Sequence, residues 1–210
     1  MNIDIVILYT IVALFYVISP GPAIFLALVN GMSGNFKAVL LSSLGNISGL
    51  FLLSLVSIVG LGALITASAA LFLVVKIIGA AYLMYLGIKQ FRAAGVTKKA
   101  SHVIVNKPNK SDIAYYLEGF FLAATNPKPI LFFISIFPQF LNIESSLVPQ
   151  FFTLTMIFMF ISFVSLLTYG YLAKSTKSLF SNKEGMKWFH RITGGIFIGM
   201  GVGLLQLKDS

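Results

Sequence analysis

Two short stretches of the chain place prolines inside segments that are otherwise apolar and helical in pattern. The first is "ISPGPAIFL", residues 18–26, and the second is "TNPKP", residues 125–129. A proline in a helix interior removes a backbone hydrogen bond and clashes with the preceding turn, at a cost of about 3 kcal/mol or more. The break frees polar backbone groups, which are tolerated at membrane depth where they line a cavity. Half-helix N-termini suit a carboxylate and freed carbonyls suit an ammonium, so two opposed breaks predict a site for a zwitterion such as an amino acid. The alternative is that each break only bends its helix.

Lys128 is the most informative single residue, because it lies between two prolines in the middle of an apolar segment. A charge at membrane depth is costly and indicates a functional site. Its ammonium could pair with a substrate carboxylate, or it could hold carbonyls that the break frees. A local structural role is the alternative. Lys76 lies about two turns inside another apolar segment, where its long side chain could reach the membrane surface.

Other polar residues near the breaks complete the candidate site. Ser19, Asn46 and Asn126 could hydrogen-bond a substrate or one another. The candidate substrate-binding and transport residues are Ser19, Pro20, Gly21, Pro22, Asn46, Lys76, Tyr82, Asn126, Pro127, Lys128 and Pro129. We expect no catalytic residue, metal or cofactor, because the chain has no cysteine and its six acidic residues fall near segment ends or in loops.

The composition explains why these polar residues stand out. The 210 residues are 58% hydrophobic and only 10% charged, and the mean hydropathy is +0.94. A soluble domain typically has about 25% charged residues, so a lipid bilayer is the expected solvent. The net charge of +9 then marks cytoplasmic loops rather than a nucleic-acid partner.

Six stretches are long and apolar enough to be membrane helices. They cover residues 5–29, 39–66, 70–91, 116–141, 148–172 and 189–207. We therefore predict one transmembrane transporter domain over residues 1–210, an all-α integral membrane protein with six transmembrane helices. Repeat one covers 1–91, a cytoplasmic loop covers 92–113, and repeat two covers 114–210. Each repeat has three helices and the first is broken at Pro-x-Pro, so the repeats are inverted with respect to the membrane.

Charges on the connecting segments predict the orientation of these helices. Lys208 is the one basic residue on one side, which also carries the acidic residues Asp4, Glu144 and Asp209. Twelve basic residues lie on the other: Lys37, Lys89, Arg92, Lys98, Lys99, Lys107, Lys110, Lys174, Lys177, Lys183, Lys187 and Arg191. Basic residues concentrate on the cytoplasmic side, so both termini should be periplasmic in a bacterial inner membrane.

Glycines spaced four residues apart predict close helix packing. Gly45 and Gly49 form one such pair. The last segment carries a nearly continuous small face that includes Gly195 and Gly199, which either packs within the bundle or forms the seam of a homodimer.

Three longer stretches resemble the lysine exporter / homoserine–threonine resistance (LysE/RhtB-type) family of bacterial amino-acid efflux proteins. They are "SPGPAIFLALVNGMSGNFKAVLLSSLGNISGL" (19–50), "VKIIGAAYLMYLGIKQFRA" (75–93) and "GFFLAATNPKPILFFISIFPQF" (119–140). The residues that match the family's motif by position are Pro20, Gly21, Pro22, Lys76, Gly79, Tyr82, Gly87, Asn126, Pro127 and Lys128. The resemblance implies a secondary transporter that exports amino acids or close derivatives with the proton-motive force. Its partners are then an amino-acid substrate, protons as the coupling ion and the lipid bilayer.

One departure from the family bears on the substrate. Some members carry an acidic residue in the fifth segment, whereas "FVSLLTYGYL" here has none. A carboxylate-based proton antiport is therefore in doubt, and a neutral amino acid suits the chain better than a cationic one. The alternatives are a small-ion exporter, a non-transporting structural membrane protein and a membrane-embedded enzyme. A small-ion exporter for hard cations would need several oxygen ligands. An enzyme would need a nucleophile–base pair or a metal pair inside the membrane.

The charge distribution predicts the result of a topology experiment. Reporter fusions at Lys99 and at Ser210 should report opposite sides of the inner membrane, with the fusion at Lys99 cytoplasmic. The same side for both fusions would contradict the six-helix arrangement.

Overall fold

The computed structural model describes residues 2–19, 21–67, 69–95, 110–142, 144–173 and 183–206. Every regular element in these ranges is helical, and they contain no strand. The helices are α1 (Ile3–Ile18), α2 (Pro22–Met32), α3 (Phe36–Ala67), α4 (Ala69–Gly95), α5 (Asp112–Thr125), α6 (Pro127–Leu131), α7 (Leu147–Leu172) and α8 (Lys183–Gln206). The prediction of an all-α protein is confirmed at this level.

The two proline motifs coincide with helix boundaries. α1 ends at Ile18, α2 begins at Pro22, and the two axes differ by 56°. α5 ends at Thr125, and the helical stretch that begins at Pro127 is bent by 46° from it. Proline is well tolerated at the first position of a helix, where its missing N–H has no intrahelical partner anyway. The motifs therefore end one helix and start the next.

Two helical stretches of the described chain, Phe36–Gly60 and Leu147–Leu172, are long and apolar enough to cross a membrane by themselves. If the bent pairs α1–α2 and α5–α6 each form one span, the number is four. These two to four spans are consistent with a membrane protein. The six spans in two inverted repeats stay a prediction.

An irregular helical segment follows α6. Phe132–Ile136 is a π-helical turn and Phe137–Phe140 is a 3₁₀ turn. Pro138 lacks the N–H that would continue an α-helix, and π-helical turns are frequent at functional sites. This segment contributes to an aromatic cluster whose rings are at most 2% exposed: Tyr9, Tyr16, Phe132, Phe133, Phe137, Phe158 and Phe197.

Glycines allow close approach of three helix pairs. A Cβ atom at Gly45 of α3 would lie 1.9 Å from the Tyr116 carbonyl oxygen of α5, and one at Gly119 of α5 would lie 1.9 Å from the Ser42 carbonyl oxygen. Gly31 of α2 is in similar contact with Gly170 of α7.

The third close pair joins α4 and α8. Gly87 lies against Gly194, and Gly201 lies against Ala80. Among the described residues, no heavy atom lies within 4 Å of a Cβ added at Gly195 or Gly199, so these two positions make no close contact with the described part of the bundle. A homodimer through that face stays a prediction.

The α3–α5 contact predicts the effect of a single methyl group. Gly45→Ala should destabilise the protein by about 1–3 kcal/mol, because the Cβ meets backbone that cannot move aside. Gly60→Ala, in the same helix but with nothing within 4 Å, is the matched control. Thermal unfolding of the purified variants in detergent should show a lowered midpoint for Gly45→Ala alone. Equal midpoints would contradict the close approach.

Candidate functional site

A small, partly open cavity lies where the two breaks meet. It is lined by Tyr16, Val17, Ser19, Gly21, Ala23, Ile24, Asn46, Leu50, Asn126, Lys128, Pro129, Phe158, Ser162 and Leu166. These residues come from both breaks and from the two long helices α3 and α7. The breaks therefore contribute to one site rather than to two separate kinks.

The Lys128 side chain joins the two breaks directly. Its Nζ donates hydrogen bonds to the carbonyl oxygens of Tyr16 and Ser19, both at 2.7 Å. The same ammonium lies 4.8 Å from the centroid of the Tyr16 ring, within the range of a cation–π interaction. Because α1 ends here, the ammonium also lies at the negative end of the α1 dipole.

The prolines explain which carbonyls need a partner. In a continuous helix the N–H of residue 20 would bind the Tyr16 carbonyl and the N–H of residue 22 would bind the Ile18 carbonyl, but prolines have no N–H. Lys128 donates to the Tyr16 carbonyl, and the Tyr169 hydroxyl donates to the Ile18 carbonyl at 3.0 Å. Side chains from α6 and α7 thus replace the lost backbone donors.

The second break is satisfied in a different way. Asn126 Oδ1 accepts a hydrogen bond from the Lys128 N–H at 3.1 Å, and the flanking positions Pro127 and Pro129 have no N–H to satisfy. The Tyr16 hydroxyl donates to the Lys128 carbonyl, so Tyr16 and Lys128 bind each other reciprocally. The start of α6 therefore has no backbone donor left in its first turn for a ligand.

The start of α2 differs from the start of α6. Its N-cap is Gly21, which has no side chain to cap the helix, and Pro22 occupies the first helical position. The next two residues, Ala23 and Ile24, line the cavity. Backbone N–H groups in the first turn and the positive end of the α2 dipole make this end of the cavity chemically suited to an anion.

The remaining walls combine one polar pair with apolar surface. The Ser162 hydroxyl donates to Asn46 Oδ1 at 3.4 Å, and both side chains are buried. Leu50, Phe158 and Leu166 form the apolar part of the lining. Lys128 is the one charged side chain among the lining residues.

The structure brings together most of the residues proposed from the sequence. Ser19, Gly21, Asn46, Asn126, Lys128 and Pro129 line the cavity. Pro22 and Pro127 start α2 and α6 but do not line it. Tyr82 is half-buried, stacks on Tyr85 with ring centroids 6.1 Å apart, interacts with Tyr16 and is not among the lining residues.

Two proposed residues are not covered in full. Pro20 lies outside the described residues, although its neighbours Ser19 and Gly21 are described. Lys76 lies within α4, but its side chain is not part of the described structure. Their proposed roles stay predictions.

Sequence reasoning missed Tyr16, Tyr169 and Ser162. A signal for Tyr16 was present, because it lies four residues before Pro20 and its carbonyl must lose its helical partner. Tyr169 and Ser162 belong to a helix without any break, so their positions carry no comparable signal. The described residues contain no group of three or more His, Cys, Asp or Glu side chains that could hold a metal ion.

Known proteins similar to this chain are membrane proteins. The family model described as "LysE type translocator" matches residues 14–208. A leucine efflux protein of Enterobacter sp. (strain 638) is 31% identical over 95% of this chain and 94% of its own length. A homoserine/homoserine lactone efflux protein of Salmonella typhimurium is 27% identical over 96% of each chain. An uncharacterized membrane protein, YrhP, of Bacillus subtilis is 29% identical over 92% of this chain and 95% of its own.

No solved structure is significantly similar to the chain. The family match covers all three stretches on which the resemblance rests, and with them both proline breaks. The protein is thus integral to a membrane, and it belongs to the LysE type translocator family, whose members are transporters rather than enzymes.

Proposed function

We propose that this protein exports neutral amino acids or close derivatives across the bacterial inner membrane, driven by the proton-motive force. The observation that carries the proposal is the meeting of the two proline breaks around one cavity in a member of a translocator family. Broken helices that meet near the membrane midplane form substrate sites in secondary transporters. The names of the two efflux relatives, which refer to leucine and to homoserine and its lactone, agree with a neutral substrate.

The first break can hold both ends of a zwitterion. The end of α1 offers carbonyl oxygens, the start of α2 offers N–H groups, and residues of both helix ends line the cavity. We place the substrate ammonium at the α1 carbonyls and its carboxylate at the start of α2. The side chain of the substrate then lies against Leu50, Phe158 and Leu166, with Asn46 and Ser162 available to a hydroxyl group.

The charges of the cavity favour a neutral over a cationic side chain. A lysine or arginine substrate would place a positively charged side chain inside the cavity. No carboxylate lines the cavity to balance it. Burying an uncompensated charge is costly, so cationic amino acids should be excluded.

We further propose six spans in two inverted repeats, residues 1–91 and 114–210, joined by a cytoplasmic loop over 92–113, with both termini periplasmic. The directions of the packed helices support this. Gly45 lies against Tyr116 and Gly49 against Phe120, so α3 and α5 run parallel. Successive spans alternate in direction, and the second and fourth of six spans must indeed be parallel.

The other helix pairs agree with the same arrangement. Contacts of Tyr16 with Phe158 and of Gly31 with Gly170 advance in the same order along both segments, which supports a parallel arrangement of the first broken pair and α7. The contacts in α4 and α8 run in opposite order, as the third and sixth spans require. The first span of each half packs on the second span of the other, and the third spans pack on each other. A two-fold axis in the membrane plane exchanges these pairs.

Efflux from cells tests the proposed function. Cells that overexpress the protein and are preloaded with leucine or homoserine should release them faster than cells with an empty vector, whereas the release of lysine should be unchanged. Ser162→Phe should reduce efflux to the vector rate, because the larger side chain fills the cavity. Val164→Phe, on the 44% exposed Val164 of the same helix, is the matched control and should retain efflux.

Two results would contradict the proposal. Lysine release equal to that of leucine would refute the neutral substrate class. Full efflux by Ser162→Phe, with yield and gel-filtration profile equal to those of Val164→Phe, would show that the cavity is not the transport site.

A further inference from the structure

The end of α1 forms a cation site that the chain itself occupies. Two carbonyl oxygens, from Tyr16 and Ser19, each lie 2.7 Å from the Lys128 Nζ, and the Tyr16 ring covers it at 4.8 Å. These groups recognise an ammonium through its N–H donors and its charge, and none of them is specific for a lysine side chain. The α-ammonium of an amino acid has the same charge and the same three donors.

We propose that Lys128 is the proton carrier of this transporter and competes, through its ammonium, with the substrate ammonium for the α1 carbonyls. Binding of the amino acid then displaces the Lys128 ammonium, which loses its proton. This inference rests on the proposed function and adds the residue and the step that couple transport to protons. It also answers how a cavity without an acidic residue can carry a proton.

The surroundings of Lys128 allow it to lose a proton without leaving an unpaired partner. The titratable group in contact with it is the Tyr16 phenol of α1; the phenols of Tyr82 in α4 and Tyr169 in α7 are the next nearest described ones, since Tyr82 interacts with Tyr16 and Tyr169 binds the Ile18 carbonyl. α2 and α3 contribute to the cavity the uncharged residues Ala23, Ile24, Asn46 and Leu50, besides the N-cap Gly21. Among the described residues, the positively charged side chain that interacts electrostatically with Lys128 is Lys89 of α4. No described carboxylate faces the ammonium. Loss of the Lys128 proton therefore leaves no buried negative charge without a partner.

The exchange balances in charge and in atoms. On the cytoplasmic side the substrate ammonium takes the two carbonyls, and the Lys128 ammonium gives one proton to water and becomes a neutral amine. On the other side a proton from water returns to the amine, and the new ammonium displaces the substrate from the carbonyls. The substrate-free transporter then returns with Lys128 protonated. One proton moves inward for each zwitterion that moves outward, so the proton-motive force drives export.

The test measures leucine and homoserine binding to the purified protein between pH 5 and 8 by calorimetry. If binding expels the Lys128 proton, the affinity should rise with pH by about tenfold per unit over part of this range. In the same range, about one proton per bound leucine should appear in weakly buffered solution, detected with a pH indicator. Leucine and homoserine keep one charge state throughout, so their own titration does not contribute.

Three variants test whether the pH dependence of leucine binding comes from Lys128 rather than from another residue. Lys128→Met, which has no proton to lose, should bind leucine with an affinity that does not change with pH. Lys128→Arg, which keeps its charge, should bind at least tenfold more weakly than the wild type at every pH. Lys37→Met removes an exposed lysine that is paired with Asp112, and it should behave as the wild type.

A second measurement does not need the substrate. Lys128→Ala leaves the two carbonyls without their donor, so ethylammonium should raise its thermal unfolding midpoint in detergent. Tetramethylammonium, which has the charge but no N–H, should raise it less, and ethylammonium should act more weakly on the wild type, in which it must compete with Lys128. Equal effects of the two ions would refute an ammonium site at the end of α1.

The outcomes distinguish this inference from the proposed function. Leucine binding or efflux by the wild type with no proton release and no slope between pH 5 and 8 would refute Lys128 as the proton carrier and leave export standing. The absence of both efflux and binding of leucine and homoserine would refute the proposed function. If the variants fail to fold, the pH dependence of leucine binding and the proton release of the wild type still test whether binding expels a proton.

Discussion

The structure depends on how the backbone carbonyls at the end of α1 obtain hydrogen-bond donors. Prolines remove the N–H groups that would serve the Tyr16 and Ile18 carbonyls, and side chains from distant parts of the chain replace them. An unsatisfied carbonyl is expensive in an apolar environment, so these contacts fix the position of α6 and α7 relative to α1. The carbonyls that the prolines leave without a donor in α1 thus bind side chains of other helices. These tertiary contacts place the two breaks around one cavity.

Close helix packing holds the frame in which that contact is possible. α3 lies on α5 and α4 lies on α8 at glycines where backbone of one helix touches the next. In a lipid bilayer the hydrophobic effect contributes little to the association of helices. Close van der Waals contact stabilises the helix pairs instead. The reciprocal hydrogen bonds between Tyr16 and Lys128 need the two breaks to be held in register, and the closely packed helix pairs provide that frame.

The two breaks are chemically unequal, and this inequality gives the cavity its direction. At the second break the Asn126 side chain caps the start of α6, so its donors are used within the protein. At the first break the start of α2 has no side-chain cap, whereas the end of α1 already holds an ammonium. A zwitterion can therefore orient its two charges along the first break alone. Lys128 is at once the support of that break and an occupant of the site, which is why its displacement can be linked to binding.

Sequence alone determined the class of the protein and the place of its breaks, because both follow from local chemistry. Apolar composition indicates a bilayer, and a Pro-x-Pro motif interrupts the hydrogen bonds of a helix, so both boundaries and six of the fourteen lining residues were predictable. The partner of Lys128 was not, since the sequence left a substrate carboxylate and freed carbonyls as alternatives. Only the tertiary structure decided for the carbonyls of Tyr16 and Ser19 and added Tyr169 and Ser162 from α7. These contacts join residues more than a hundred positions apart or lie on an unbroken helix, and no local pattern in a sequence fixes which faces of distant helices meet.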